Sequence, residues 1–252
     1  MPSSNRSSTK YQPQHQIWAI LPAAGIGKRM QSAIPKQYLD LNGRPVLAHT
    51  IDALLKNPYI SGLVIALQDD DAYWDDIAIY SDKPVLRAPG GAERADSVLS
   101  ALDTLLASER FDAEHDWVMV HDAVRPCLRQ SDIDKLVQVV AENPAGGLLA
   151  LPVRDTMKRQ NPSVATVSTT VDRDLLWHAL TPQYFPAKLL KNALASALAK
   201  QLAVTDESSA MEMAGYCPML VSGYEDNIKI TRPDDLRLAG LYLQARETEE
   251  SQ

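Results

Sequence analysis

The sequence predicts a doubly wound, mostly parallel α/β fold with a protruding arm. Three observations support this: short apolar runs bounded by turn residues recur, segments with helical spacing separate them, and a polar stretch then breaks the alternation. The apolar runs lie at 17–21, 63–67, 117–120 and 147–151. Such short, continuous runs are typical of parallel strands covered on both faces. In this class of fold the ligand binds at the carboxyl ends of the strands.

Helices are expected between these strands and after them. The first three are predicted at 45–56, 92–106 and 131–141, with Ser131 as the N-cap of the third. A stripe of leucine and alanine predicts a helix at 186–202. A further helix starts near Asp206, a short strand carries 227–230, and Pro233 opens the last helix.

The polar stretch after residue 151 predicts an extended hairpin. Residues 159–162 are polar, and 166–171 alternate with β-branched side chains. An arm this polar has no core of its own, so we expect it to cross to a second subunit and form a homodimer.

Composition limits the class of protein. With 252 residues, 45% of them hydrophobic, we expect one domain at 17–245 with the arm at about 152–178, a disordered extension at 1–16 and a polar tail at 246–252. No apolar run approaches the ~20 residues of a membrane span, and no secretory signal is apparent. A net charge of −7 disfavours nucleic-acid binding, and two cysteines fit a reducing compartment. A soluble, cytoplasmic protein is the expectation.

The segment LPAAGIGKRM at 21–30 follows the first predicted strand directly. Gly25 and Gly27 let the backbone turn and present N–H groups to an anion. The cations Lys28, Arg29 and Lys36 lie close by in sequence, which favours a phosphate site.

Two common phosphate motifs are excluded. A Walker loop needs glycine at position 22, where Pro22 stands, and Ser or Thr at position 29, where Arg29 stands. A dinucleotide fingerprint needs a third glycine at position 30, where Met30 stands. Nucleotide binding of another type is therefore the working hypothesis. No Gly-x-Ser-x-Gly motif occurs, and the five histidines show no ligand spacing and are expected to be structural.

A resemblance to a known family extends this interpretation. The segments PAAGIGKRM, PKQY, GGAERADS, HDAVRP, PVRDTMKR, TVDRDLLWHALTPQ, TDE and DNIKIT, in this order, resemble bacterial 2-C-methyl-D-erythritol 4-phosphate cytidylyltransferases over 17–245. The resemblance implies a Rossmann-like nucleotidyltransferase sheet with a β-hairpin dimerisation arm. It also implies transfer of CMP from CTP to the sugar-alcohol phosphate, release of pyrophosphate and use of Mg²⁺, in the non-mevalonate isoprenoid pathway.

The same resemblance implies the roles of individual residues. The catalytic cations it implies are Arg29, Lys36, Arg173 and Lys229. The CTP-binding residues it implies are Pro22, Ala23, Ala24, Gly25, Gly27, Arg29, Lys36, Gly91, Ser97, Asp122 and Ala123. The acceptor-binding residues it implies are Asp122, Arg125, Thr156, Arg173, Thr205 and Lys229.

The chemistry agrees with these residue types. Attack of a phosphate oxygen on the α-phosphorus of CTP builds negative charge, which fixed cations stabilise. A phosphate monoester is largely dianionic at neutral pH, so no general base is demanded. Mg²⁺ usually takes phosphate oxygens and few protein ligands, so Asp122 is only a candidate ligand. Ala92 stands where the family often has an aspartate, which leaves its consequence for cytosine selectivity open.

Other functions remain as alternatives. A ribitol-5-phosphate cytidylyltransferase would share the CTP turn and differ in the acceptor arm. A nucleotide-sugar glycosyltransferase could use the acidic triplet 69–71 for a metal, although a helix N-terminus explains that triplet better. A non-catalytic nucleotide-binding regulator would keep the fold without needing all four cations.

Overall fold

A computed structural model describes residues 12–25, 30, 34–141 and 143–250 of the chain. Most of the predicted N-terminal extension, residues 251 and 252, and the predicted site residues Gly27 and Arg29 lie outside the described residues. The strands, numbered in chain order, are β1 Ile17–Pro22, β2 Asp40–Leu41, β3 Arg44–Pro45, β4 Ile60–Leu67, β5 Val85–Pro89, β6 Trp117–Val120, β7 Gly147–Pro152, β8 Met157–Gln160, β9 Val167–Val171, β10 Trp177–Pro186 and β11 Met219–Ser222.

Seven of these strands form one sheet, in the order β11-β7-β10-β6-β1-β4-β5. β1 pairs in parallel with β4 and β6, β4 with β5, and β7 with β11. Only β10 is antiparallel to its two neighbours in the sheet, β6 and β7. The predicted mostly parallel sheet is therefore confirmed, and its first strand lies near the centre.

The helices pack on both faces of this sheet. They are α1 Val46–Leu55, α2 Arg94–Leu106, α3 Gln130–Val140, α4 Ala187–Ala199, α5 Glu207–Met213 and α6 Pro233–Glu250. On β1, Ile17, Ala19 and Leu21 pack in one core cluster with residues of α1 and α3, whereas Trp18 and Ile20 pack in the other with residues of α2 and α4. Since successive side chains of a strand point to opposite faces, the continuous apolar run is explained by two covered faces.

Two predicted details differ from the structure. Residues 227–230 form no strand, because the backbone N–H of Ile230 bonds to the carbonyl of Val124 at 3.0 Å without starting a ladder. The N-cap of α3 is Arg129 rather than Ser131. Arg129 is fixed in place by two hydrogen bonds to Asp226, at 3.0 and 2.6 Å.

The end of the chain also differs from the predicted polar tail. α6 continues to Glu250. The side chain of Arg246 is largely buried, pairs with Asp226 at 2.8 Å and donates to the carbonyl of Cys127. These contacts tie the last turns of the helix to the main body.

The arm is a two-stranded antiparallel sheet of β8 and β9 that pairs with no other strand of the described residues. Its side chains are mostly exposed, including that of Val167. Leu175, which follows β9, is 93% exposed and has a φ of +64°. The arm returns through β10, whose first half is exposed and whose second half is buried in the main sheet. None of the helices described here is long and apolar enough to cross a membrane.

Candidate active site

A cleft of about 240 Å³ opens where β1, β5 and β6 end. Its lining consists of Pro22, Ala23, Ala24, Gly25, Lys36, Gln37, Gly91, Ala92, Glu93, Arg94, Ser97, Asp122, Ala123, Val124 and Lys229. Each predicted CTP-binding residue that the structure describes lies in this cleft. Because these strands are parallel, their carboxyl ends meet at one edge, which is where such folds bind ligands.

The turn after β1 is fixed by side-chain amides. Ala23 extends the ladder by donating its N–H to the carbonyl of Ala66 at 2.9 Å. The amide of Gln37 donates to the carbonyl of Ala23 at 2.7 Å, and that of Gln68 to the carbonyl of Ala24 at 2.9 Å. The turn is therefore held on two sides by residues that the sequence prediction did not name.

The glycines around the cleft serve different needs. A Cβ at Gly90 would lie 2.3 Å from the Cβ of Ala24, so only glycine lets these two segments meet. A Cβ at Gly25 would meet no atom within 4 Å, so packing within the described residues does not require glycine there. Among the described residues, the space beside Gly25 is therefore open to a ligand.

Ser97, in the first turns of α2, holds the loop that precedes the helix. Its hydroxyl accepts the N–H of Gly91 at 3.0 Å and donates to the carbonyl of Glu93 at 3.2 Å. Ser97 lines the cleft but is 3% exposed. Its hydroxyl proton is used within the chain, so a ligand that meets Ser97 here meets an acceptor.

Asp122 is the centre of the charged groups in the cleft. Its Oδ1 accepts from Arg94 Nε at 3.2 Å, and its Oδ2 accepts from Arg125 Nε and from Lys229 Nζ, both at 3.0 Å. Burial alone would raise the pKa of Asp122, but the charges of Arg94, Lys229 and Arg125 hold it well below its usual range. The carboxylate is therefore charged and gathers three cations at the cleft.

A buried network fixes the backbone beneath this carboxylate. The Asp122 N–H donates to the Thr181 hydroxyl at 3.1 Å, which in turn donates to His121 Nδ1 at 2.9 Å. His121 Nε2 donates to the carbonyl of Arg125 at 3.1 Å, and Asn227 Nδ2 donates to the carbonyl of Thr181 at 2.7 Å. Burial lowers the pKa of His121 to about 4, so its ring is neutral. His121 is structural, as expected from the sequence.

The two described lysines of the predicted site approach each other from opposite ends of the chain. Lys36 lies on the one-turn 3₁₀ helix Lys36–Tyr38 and donates to the carbonyl of Ile230 at 3.2 Å. Lys229 is the neighbour of Ile230 in sequence and is about one third exposed. Ile230 is fully buried, and Ile228, on the other side of Lys229, packs against the same core cluster.

Arg94 and Glu207 were not predicted as site residues. Arg94 lines the cleft and donates to both carboxylate oxygens of Glu207, at 2.5 and 3.0 Å. Burial lowers the pKa of Arg94, but the carboxylates of Glu207 and Asp122 raise it by more, so the net shift is upward. Both residues stand in segments that the family resemblance quotes, GGAERADS and TDE, and this was the available signal.

Unlike Lys229, four of the predicted acceptor-binding residues do not line the cleft. Arg125 is buried behind Asp122 and also donates to the carbonyl of Asn227 at 2.8 Å. Thr205 is exposed just before α5. Thr156 and Arg173 lie on the exposed arm, where Arg173 donates to the carbonyl of Arg154. None of these four side chains lines the described part of the cleft in the single chain.

Asp122 does not fit the predicted role of a metal ligand. Both of its oxygens already accept N–H bonds, and the three surrounding cations would repel a divalent ion. Within the described ranges, no group of three His, Cys, Asp or Glu side chains is placed to hold a metal ion. In the acidic triplet 69–71, Asp71 caps a turn by accepting the N–H groups of Tyr73 and Trp74.

Comparison with known proteins identifies the family of this chain. The family model of 2-C-methyl-D-erythritol 4-phosphate cytidylyltransferase (IspD) matches residues 17–245. Proteins of that name from Aliivibrio fischeri (strain MJ11) and Shewanella amazonensis are 52% and 53% identical to this chain, covering 92% of it in each case and 96% and 94% of themselves. The crystal structure of the Francisella tularensis enzyme of that name has a TM-score of 0.77 at 34% identity, covering 90% of this chain and 99% of its own. This chain belongs to the 2-C-methyl-D-erythritol 4-phosphate cytidylyltransferase family.

Proposed function

We propose that this chain transfers CMP from CTP to 2-C-methyl-D-erythritol 4-phosphate, giving 4-diphosphocytidyl-2-C-methyl-D-erythritol and pyrophosphate. One observation carries the proposal. In a chain of this family, the turn 22–25, Lys36, Asp122 and Lys229 meet in a single cleft at the carboxyl edge of the sheet. This arrangement offers backbone groups to a nucleotide and cations to its phosphates.

The CTP side of the site consists of the turn and the loop before α2. We assign the base and ribose to the backbone of Ala23, Ala24 and Gly91 and to Ser97, and the phosphates to Lys36 and Arg29. The open space beside Gly25 supports a close approach of the nucleotide to the backbone. Gly27 and Arg29 keep their assigned roles on the resemblance of the sequence alone.

The chemical step is an in-line displacement at the α-phosphorus. A phosphate oxygen of the acceptor forms the new bond, and the bond from the α-phosphorus to the bridging oxygen breaks, so pyrophosphate leaves with the electron pair. Lys36 and Arg29 stabilise the charge on the α-phosphate oxygens and on the departing pyrophosphate. Because the acceptor oxygen is already anionic, no side chain needs to remove a proton.

The acceptor side consists of Lys229, Asp122, Thr205 and the arm residues Thr156 and Arg173. Lys229 would bind the acceptor phosphate, and Asp122 would hold Lys229 in place. We give Arg125 a supporting role, because it is buried and already bonded to Asp122 and to the carbonyl of Asn227. Acceptor binding is thus shared between the main body and the arm.

We propose a homodimer in which the arm of one subunit completes the site of the other. Arg173 and Thr156 lie outside the cleft lining of their own chain, and exposed apolar side chains on and beside the arm, such as Val167 and Leu175, are left uncovered. A surface of this kind favours contact with a second copy.

Mg²⁺, in this proposal, arrives on the phosphates of CTP rather than on a protein carboxylate. The three cations around Asp122 support that choice. A cytoplasmic location is also part of the proposal, supported by the free thiols of Cys127 and Cys217.

Pyrophosphate release by purified protein tests the proposal. The assay uses Mg²⁺ and compares CTP with the other nucleoside triphosphates, and 2-C-methyl-D-erythritol 4-phosphate with ribitol 5-phosphate. Release that requires CTP and the methylerythritol phosphate is the expected result. Preference for ribitol 5-phosphate would move the acceptor while keeping the chemistry. Absence of release with every pair would contradict an enzymatic function and favour a binding role.

A further inference from the structure

Arg94, which lines the catalytic cleft, forms an ion pair with the buried side chain of Glu207. Arg94 opens α2 at the edge of the cleft, and Glu207 opens α5 with a side chain only 1% exposed. The position of Glu207 is set by its neighbours. Asp206 caps α5 by accepting the N–H of Ser209 at 2.9 Å, and the N–H of Ser208 donates to Gln183 Oε1 at 2.7 Å. Glu207 therefore presents a fixed carboxylate to Arg94.

The division of N–H groups on Arg94 restricts what it can give to Asp122. Nη1 and Nη2 bond to Glu207 at 2.5 and 3.0 Å, which leaves Nε to reach Asp122 Oδ1 at 3.2 Å. Glu207 holds the end of the planar guanidinium that Nη1 and Nη2 form, so Asp122 meets the guanidinium from its side, through Nε. Asp122 thus receives a single, lateral hydrogen bond from Arg94.

The other oxygen of Asp122 is consequently available to Lys229. Oδ2 accepts from Lys229 Nζ at 3.0 Å and from Arg125 Nε at 3.0 Å. If Glu207 did not hold Arg94, the released guanidinium would be drawn to Asp122 by two bonds rather than one. The carboxylate would then rotate and move the anchor of Lys229.

We propose that Glu207 is a positioning residue, which acts through Arg94 and Asp122 to place the ammonium group of Lys229 for the acceptor phosphate. This inference rests on the proposed function, in which Lys229 binds that phosphate. Arg94 acts together with Glu207 in positioning Lys229 and is not itself a ligand of the phosphate, because its charge is already shared by two carboxylates. A misplacement of about 1 Å in such a site lowers turnover on the order of a hundredfold.

Glu207→Gln tests the inference, with Glu212→Gln as matched control. The control makes the same change on the same helix, at an exposed glutamate. Steady-state kinetics with both substrates, CTP binding by calorimetry and thermal unfolding are measured for each variant. Glu207→Gln is expected to lower kcat/KM for the acceptor by roughly tenfold to a hundredfold while the Kd for CTP stays within about twofold. Glu212→Gln is expected to match the wild type.

A double-mutant comparison separates positioning from general destabilisation. Adding Glu207→Gln to a Lys229→Met chain should cost little further acceptor kcat/KM, because the two residues act in series. Additive losses, an equal loss of CTP binding, or wild-type kinetics in Glu207→Gln would each overturn the inference. If Glu207→Gln fails to fold, Arg94→Lys, which keeps the charge but lacks the two-pronged edge, is judged by the same criteria. A wild-type protein without activity would instead contradict the proposed function itself.

Discussion

Lys36 donates a hydrogen bond to the carbonyl oxygen of Ile230 at 3.2 Å, which links the segment after the first strand to the residue that follows Lys229. A cation from near the start of the chain is thereby fixed beside a cation from near its end. This is the relationship expected if one lysine serves the nucleotide and the other serves the acceptor. The predictions below test the two sides of the cleft separately.

Replacing Lys229 should affect the acceptor side of the reaction. We expect Lys229→Met to reduce kcat/KM for 2-C-methyl-D-erythritol 4-phosphate on the order of a hundredfold to a thousandfold, since it removes a donor aimed at a phosphate. CTP binding should survive, as measured by calorimetry. Lys200→Met, at an exposed position beyond α4, is the control. An unchanged acceptor kcat/KM in Lys229→Met would remove Lys229 from the site.

The proposed dimer predicts complementation, at low acceptor concentration, between two chains that are each impaired in acceptor binding. Arg173→Ala alone should raise the acceptor KM and leave CTP binding intact. Mixing Arg173→Ala with Lys229→Met chains should restore about a quarter of wild-type activity, because half of the dimers are mixed and each of these has one intact site. The mixture is assayed after subunit exchange. Activity no greater than the sum of the separate variants would show that each chain uses its own arm.

A substitution at Leu175 tests the proposed dimer through the mass of the assembly in solution rather than through enzymatic activity. Its side chain is 93% exposed and its φ of +64° suits asparagine better than leucine. Leu175→Asn should therefore keep the fold and weaken self-association, as followed by sedimentation at several concentrations. Leu202→Asn, at an exposed leucine after α4, controls for loss of apolar surface. A dimer unaffected by Leu175→Asn would exclude this surface from the interface.

Alanine substitutions at two glycines of the cleft should distinguish an effect on CTP binding from an effect on stability. Gly25→Ala meets no described atom within 4 Å, so thermal unfolding should be unchanged while the affinity for CTP falls. Gly90→Ala puts a Cβ 2.3 Å from that of Ala24, and overpacking of this kind costs about 1–3 kcal/mol of stability. Calorimetry with CTP and denaturant titration measure the two effects. A Gly25→Ala variant that binds CTP normally would show that the open space is not used.

His121 should make stability depend on pH. Its pKa is about 4 in the fold and 6.5 when unfolded, so the unfolded chain takes up a proton first as pH falls. The contribution to the free energy of unfolding is constant above pH 6.5 and declines by roughly 3 kcal/mol down to pH 4. Burial raises the pKa of Asp132 to about 6, which has the opposite sign in this window.

The His121 contribution is therefore isolated by difference. Denaturant titrations of wild type and His121→Gln are compared between pH 4 and 8, with His178→Gln at an exposed histidine as control. The wild type should lose stability faster than His121→Gln as pH falls, whereas His178→Gln should follow the wild type. Parallel curves for wild type and His121→Gln would contradict a buried, neutral ring.

The sequence predicted the parallel strands and the CTP turn because both are local patterns. Continuous apolar runs identify strands such as β1 and β6, and two covered faces explain them. β10 could not be read in this way, because half of it is exposed on the way back from the arm and it contains Pro182. Lys229 was implied by the family resemblance, and the strand predicted for 227–230 is absent.

The charged groups around Asp122 could be predicted only in part. Each of the cations Arg125 and Lys229 belonged to a recognised segment, but which oxygen each would contact depends on packing between distant elements. Glu207 illustrates the limit, since a glutamate at the start of a helix is ordinarily explained by the helix dipole. Its burial against Arg94 is visible only once α2 and α5 are placed side by side.

β10 also sets a limit for anyone who redesigns the arm. The same strand leaves the arm at Trp177 and carries Thr181 to the backbone of Asp122. Inserting one residue between these two positions would turn every following side chain to the opposite face, unless a bulge absorbed it. Loop exchanges between Gln160 and Val167, at the far tip, leave this register untouched. The tip is therefore the place to attach a probe or a new sequence, and the base of the arm is not.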